Sequence, residues 1–128
     1  MQLQRRVVVT GLGVLAPTGN LLSKVWSSCK SGISGITNIE QDFLDSPITI
    51  GGRIHDFDSI QILDSKEKRR LDPFVQYGVV AAEHAILDSG ILDCNINKEL
   101  VGVNFGSGIG GLSSIEVNNL NLHIQAKL

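Results

Sequence analysis

Nucleophiles and bases are sparse in this sequence, and their spacing does not assemble a catalytic group. The chain has two cysteines, Cys29 and Cys94. A catalytic thiolate needs a helix N-terminus or a cationic neighbour. Cys29 falls late in a predicted helix, where the dipole opposes a negative charge, and Asp93 repels a thiolate at Cys94. Both cysteines are therefore predicted to be structural.

A serine nucleophile and a metal centre are also disfavoured by the local patterns. Ser107 does not fit the hydrolase elbow G-x-S-x-G, because Phe105 occupies the first glycine position. Residues 55–58 read HDFD, but four consecutive residues in a turn rarely all face one ion, and no second cluster completes the shell. We predict no catalytic residue and no metal ligand in this chain.

Two glycine loops each follow a predicted strand, which is the context of a dinucleotide fingerprint. Residues 11–16 read GLGVLA and residues 106–111 read GSGIGG. After the first loop, Pro17 interrupts the expected helix, and Glu40 is the only candidate for a ribose-binding acid. For the second loop that acid would fall beyond residue 128. The alternative is that glycines let a sharp turn pass close to other backbone; a dinucleotide site at 106–111 remains open.

A basic turn is the strongest candidate for a binding surface. Lys66, Arg69 and Arg70 share one face of a helical turn by their i, i+3, i+4 spacing, with Lys68 beside them and only Glu67 opposing them within the run. On a chain of net charge −2, this local positive patch could steer an acidic partner or hold a phosphate. The alternative is a solvated helix surface.

The elements that must position these groups alternate along the chain. Short apolar runs predict strands, and longer stretches predict helices: strands at 7–10, 49–54 and 101–105, and helices at 20–30, 66–70, 73–89 and from 112 to about 121. This order predicts an α/β fold of layered βα units around a mostly parallel sheet.

The 73–89 helix has the clearest signals. Asp72 can cap it, Pro73 suits its first position, and Gly90 suits the left-handed residue after it. Small and aromatic side chains follow one side of it, at Phe74, Tyr77, Gly78, Ala81, Ala82 and Ala85. The small ones predict close contact with a neighbouring backbone.

Bulk composition limits the classes of function. A chain of 128 residues is one domain by length, and its weak acidity disfavours nucleic-acid binding. No apolar run approaches the roughly 18 residues that span a bilayer, and the N-terminus is too short in apolar residues for a signal peptide. We predict a cytoplasmic protein with no nucleic-acid or membrane partner. The ending AKL at 126–128 is similar to a peroxisomal address, but three residues match easily by chance.

Several motifs in a specific order carry a resemblance to a known family. The chain resembles the first third of the β-ketoacyl-acyl-carrier-protein synthases of the type II elongating class, almost continuously from Arg5 to about Asn118. The segments that carry it are RRVVVTGLG at 5–13, SGISGI at 31–36, LDPFVQYG at 71–78, DSG at 88–90 and GSGIGG at 106–111.

The resemblance implies an acyltransferase of fatty-acid biosynthesis with a thiolase-like fold, working as a homodimer. It implies acyl transfer to a cysteine, decarboxylation of malonyl-acyl-carrier protein and Claisen condensation, supported by two histidines and an oxyanion hole. The partner is acyl carrier protein with its phosphopantetheine arm, and no other cofactor is needed. In the family the cysteine, histidines and lysine come later, so we expect residues 1–128 to be an incomplete N-terminal part, inactive alone.

The resemblance also implies site residues. Ile109 and Gly108 would line the acyl-chain pocket, and Lys66, Arg69 and Arg70 would dock the acidic helix of acyl carrier protein. After residue 116 the family's continuation is not matched, so we expect an open sheet edge, uncovered helix faces and poor solubility. Two alternatives are a non-catalytic module that docks acyl carrier protein and a dinucleotide-binding domain using 106–111.

Overall fold

A computed structural model describes residues 5–39, 46–57 and 62–125. The elements, in chain order, are α1 (Leu22–Lys30), β1 (Ile36–Asn38), β2 (Ile50–Gly52), α2 (Ser65–Arg70), α3 (Pro73–Ser89), two 3₁₀ turns (Ile91–Asp93 and Lys98–Leu100) and α4 (Leu112–Gln125). Glu40, Asp58 and the ending 126–128, which figured in the sequence analysis, lie outside the described residues.

The four predicted helices are confirmed, because their start and stop signals are local. Pro73 occupies the first turn of α3, and Gly90 follows its last residue with φ of 61°, the left-handed conformation that glycine adopts without a Cβ penalty. Helix α4 runs four residues further than expected, to Gln125. No helix in the described part of the chain combines the length and apolar character needed to cross a membrane.

The sheet differs from the prediction. Strands β1 and β2 pair antiparallel, with Ile36 opposite Gly52 and Asn38 opposite Ile50, so the strand predicted at 49–54 is confirmed only at its centre. The segments 7–10 and 101–105 are not strands, and the mostly parallel sheet is therefore wrong for the described residues. A parallel strand is buried on both faces by neighbouring strands and helices, whereas here the Val7 side chain is 90% exposed.

The buried core is very small. Among the described residues, the buried apolar side chains are Leu63, 4% exposed, and Val80, 2% exposed. Helix α1 buries little apolar surface: Trp26 and Cys29 are exposed, and its buried residue is Ser28. Many large apolar side chains consequently face solvent.

The loop at residues 11–13 packs directly on the backbone of α3. A Cβ built on Gly13 would overlap the carbonyl oxygen of Ala81, and one on Gly11 would overlap that of Ala85. Ala81 and Ala85 lie one helical turn apart on the same face. The close backbone contact predicted for the small residues of this helix is therefore confirmed, and its partner is the first glycine loop.

Two long-range sets of hydrogen bonds fix the loops around these elements. The amide of Leu12 donates to Asp88 Oδ2 at 2.9 Å. The Asn20 Nδ2 donates to the carbonyl oxygens of His55 at 2.6 Å and Asp56 at 3.0 Å, where Asp56 has φ of 51°. Asn20 thus holds the turn in which Asp56 adopts the left-handed conformation.

Candidate functional site

Helix α2 presents the basic surface, which we define as Lys66, Arg69 and Arg70. All three side chains are exposed. The helix begins with a capping box, in which Asp64 Oδ1 accepts from the amide of Glu67 at 2.7 Å and Glu67 Oε2 accepts from the amide of Asp64 at 3.0 Å. The carboxylates are therefore held at the N-terminal end, where the helix dipole favours them, and Arg69 and Arg70 occupy the last turn.

A glutamine side chain ties this short helix to α3. Gln76 Nε2 donates to the carbonyl oxygens of Lys68 at 3.1 Å and Leu71 at 2.8 Å. These carbonyls lie in the last turn of α2 and at its C-cap, where no further helical amide can bind them. Gln76 satisfies them, so the basic surface is fixed in orientation relative to α3.

The second glycine loop, residues 106–111, carries the predicted pocket residue in an exposed position. The Ile109 side chain is 71% exposed. Cβ atoms built on Gly106 and Gly108 would meet nothing within 4 Å. This half of the loop is loosely surrounded, and Ile109 has space for more than one rotamer.

The other end of the glycine loop is held tightly by the start of α3. A Cβ on Gly110 would overlap the ring of Phe74, and one on Gly111, whose φ is 67°, would lie 2.5 Å from Asp72 Oδ2. Ser114 Oγ donates a short hydrogen bond to Asp72 Oδ1. The 106–111 loop is therefore anchored at its C-terminal end and open around Ile109.

An apolar groove of about 590 Å³ lies between α3 and the segment 103–107. Phe105 packs its ring 3.5 Å from the position that a Cβ on Gly78 would occupy. The residues that line the groove include Phe74, Tyr77, Ala82, Ile86, Val103 and Phe105. Neither Gly108 nor Ile109 lines it, so the structure does not bring the two predicted pocket residues into this groove.

The cysteines and the remaining nucleophile candidates do not form a reactive arrangement in the described residues. Cys29 and Cys94 are both exposed. Cys94 Sγ donates to the carbonyl oxygen of Gly90 at 3.6 Å, and Cys29 lies at the C-terminal end of α1. Groups of three or more histidine, cysteine or carboxylate side chains able to hold a metal are not found within 5–39, 46–57 and 62–125.

Comparison with known proteins decides the family. Residues 4–126 match the family described as "Beta-ketoacyl synthase, N-terminal domain". The chain belongs to the β-ketoacyl synthase family. It is similar to proteins named 3-oxoacyl-[acyl-carrier-protein] synthase 2 from several bacteria. These include the proteins of Vibrio harveyi (43% identical over 117 residues, 91% of this chain), Synechocystis (41% over 114 residues, 88%) and Staphylococcus aureus (38% over 124 residues, 95%).

The chain spans 28% of the length of the Vibrio harveyi relative and 30% of the Staphylococcus aureus one. The family resemblance carried by the motifs at 5–13, 71–78 and 106–111 is confirmed by the match over residues 4–126. The structure adds contacts of this synthase segment that sequence reasoning missed, chiefly those of Asp72 and Gln76. In the sequence, Asp72 and Gln76 are marked only as polar residues near the start of a predicted helix, which does not indicate their contact partners.

Proposed function

We propose that these residues are the N-terminal part of a fatty-acid condensing enzyme with a thiolase-like fold that acts in the cytosol as a homodimer. The complete enzyme would move an acyl group onto a cysteine thiol. Loss of CO₂ from malonyl-acyl-carrier protein would then give an enolate, which attacks the acyl thioester and releases the thiol. The reacting cysteine, histidines and lysine would be supplied by polypeptide outside the 128 residues. The observation that carries this proposal is the family match over residues 4–126.

Within that enzyme, residues 1–128 would supply a docking surface and a wall of the acyl pocket rather than the chemistry. Acyl carrier protein, bearing its phosphopantetheine arm, would dock on the basic surface. Exposure of Lys66, Arg69 and Arg70 and the attachment of the α2 backbone to α3 through Gln76 support this role, because an exposed cluster of cations steers an acidic partner and a backbone already held in place lowers the ordering cost of binding. Gly108 and Ile109 would line the acyl-chain pocket once later polypeptide closes over them.

Charge reversal on the basic surface should weaken carrier-protein binding. For Arg69→Glu/Arg70→Glu we expect at least about a ten-fold loss of affinity at low salt, since electrostatic steering contributes factors of this size. The difference should shrink between about 0.05 M and 1 M salt, because the Debye length falls to about 3 Å. Calorimetric titration with acyl carrier protein measures both quantities.

Lys98→Glu is the matched control, because Lys98 is also an exposed cation but lies in a 3₁₀ turn outside the basic surface. It should bind like the wild type at every salt concentration. Equal loss for the control and the double variant would contradict docking on α2. Binding without any condensation by the complete polypeptide would favour a non-catalytic docking module instead.

Bulk at position 109 should limit the length of acyl chain that the complete enzyme accepts. Ile109→Trp is expected to lower kcat/KM for the longest accepted acyl chains by about ten-fold or more relative to short ones, because excluding even one methylene discriminates by ~1–3 kcal/mol. Ile109→Val keeps the branched side chain and should retain the wild-type profile. Steady-state kinetics with acyl donors of graded length test this, and a uniform loss across all lengths would remove Ile109 from the pocket wall.

A further inference from the structure

We propose that Asp72 is a positioning residue that anchors the 106–111 loop to the start of α3 and so couples the basic surface on α2 to the setting of Ile109. The roles of the basic surface and of Ile109 rest on the function proposed above. The anchoring itself rests on contacts that are independent of it.

The carboxylate of Asp72 does not cap α3, although its position predicts that it would. It occupies the N-cap position of α3, yet its side chain makes no capping hydrogen bond. Instead Oδ1 accepts from Ser114 Oγ, 42 residues away in the chain. An N-cap carboxylate is favoured because it binds free amides of the first turn. Its diversion to a distant hydroxyl gives a charge-assisted hydrogen bond that joins α3 to α4.

The same carboxylate leaves no space for a side chain at Gly111, the last residue of the 106–111 loop. Asp72 Oδ2 lies 2.5 Å from the position a Cβ would take on Gly111, whose φ of 67° already favours glycine. The ring of Phe74 covers Gly110 in the same way. Both of these glycines directly precede α4, whereas a Cβ built on Gly106 or Gly108 would meet nothing within 4 Å. The loop is thus fixed on one side of Ile109 and free on the other.

Asp72 is also joined firmly to the basic surface. Only Leu71 separates it from Arg70, and the Leu71 amide donates to the carbonyl oxygen of Glu67 at 2.9 Å. Gln76 binds the carbonyls of Lys68 and Leu71 from the other side. A displacement of α2 by a docked partner would therefore reach Asp72 through packed and hydrogen-bonded groups, and Asp72 would pass it to Gly111 and Ser114.

The first test measures anchoring by hydrogen–deuterium exchange in the complete polypeptide that carries these residues. Ser114→Ala removes the donor without touching the basic surface, and peptides covering 106–113 should exchange about five-fold faster, the factor expected for one net hydrogen bond. Ser114→Thr keeps a hydroxyl and should restore slow exchange. Ser113→Ala is the matched control, because Ser113 is the exposed neighbour. Equal exchange in Ser113→Ala and Ser114→Ala would overturn the proposal and leave the proposed function intact.

The second test measures coupling. Saturating acyl carrier protein should slow exchange of 106–113 in the wild type by about five-fold and should have no effect in Ser114→Ala. In kinetics, Ser114→Ala should change the ratio of kcat/KM between long and short acyl donors, while its affinity for carrier protein stays within two-fold of the wild type. The coupling would be overturned if Ser114→Ala kept the wild-type ratio of kcat/KM and if carrier protein slowed exchange of 106–113 in this variant as much as in the wild type. Failure of the wild type to bind carrier protein at all would overturn the proposed function and the coupling with it, whereas the anchoring would still be decided by the first test.

Discussion

Gly13→Ala is expected to detach the first glycine loop from α3 and to destabilise the fold by about 3 kcal/mol or more. The added Cβ would overlap the carbonyl oxygen of Ala81 and would lie 2.7 Å from the amide nitrogen of Ala85. Overpacking a core costs ~1–3 kcal/mol when side chains can yield, and here the obstacle is helix backbone, which yields less. Separation of the first glycine loop from α3 would also break the hydrogen bond from the Leu12 amide to Asp88.

The measurement is urea unfolding of the complete polypeptide followed by far-ultraviolet circular dichroism. A loss of 3 kcal/mol is a large part of the ~5–15 kcal/mol by which domains are stable, so the midpoint should fall clearly. Gly102→Ala is the control, because a Cβ there meets nothing within 4 Å, and its effect should stay within about 0.5 kcal/mol. Equal midpoints for the two variants would show that residues 11–13 do not press on α3.

The 128-residue chain by itself is expected to give no carbon–carbon bond formation from acyl- and malonyl-carrier protein. Condensation needs an activated thiolate next to groups that stabilise the enolate. The Cys94 thiol donates a hydrogen bond to the Gly90 carbonyl oxygen. Cys29 lies at the C-terminal end of α1, where the helix dipole disfavours a thiolate. Both the 3-oxoacyl product and an acylated protein thiol should be missing in mass spectra.

The same preparation should bind a hydrophobic dye and self-associate, because most large apolar side chains of the described residues are exposed. The complete polypeptide serves as the positive control for catalysis in the same assay. A Cys29→Ser/Cys94→Ser variant shows whether any residual label depends on these thiols. An acyl group that resides on Cys29 or Cys94 and passes to malonate would falsify the assignment of the reacting groups to polypeptide outside this segment.

Local signals in the sequence predicted the helices well. Pro73 and Gly90 mark the two ends of α3 within one residue each, because proline and glycine act on their own backbone and on that of their neighbours alone. The small residues Ala81 and Ala85 predicted a close backbone contact, and the sequence already placed candidate glycines at 11 and 13. The sequence pattern did not predict that the backbone of residues 11–13 would contact the backbone of α3.

Non-local pairing explains the failures. The apolar run at 7–10 has the composition of a buried strand, but a strand forms only where another strand pairs with it, and none in the described residues does so. Strand β1 escaped prediction because three residues are too few to show an alternating pattern. Asp72 was correctly placed at a helix start, and its bond to Ser114 could not be predicted because local sequence does not determine a contact across 42 residues.

For the candidate site, sequence reasoning chose exposed residues but could not supply the connections between them. The exposed face of Lys66, Arg69 and Arg70 followed from helical spacing. Their attachment to α3 through Gln76 did not, because Gln76 looks like any polar residue in the first turn of a helix. The assignments of the basic surface and of Ile109 stay predictions until the variants above are measured.

The small buried core of the described residues has a consequence for biogenesis. As the N-terminal part proposed above, this segment would leave the ribosome first, at ~5–20 residues per second, with exposed side chains such as Val7, Phe105 and Leu112 in water. Until later polypeptide covers them, such surfaces attract one another and are bound by chaperones that hold nascent chains. A cell that makes the complete synthase would therefore depend on that protection more during translation than after it.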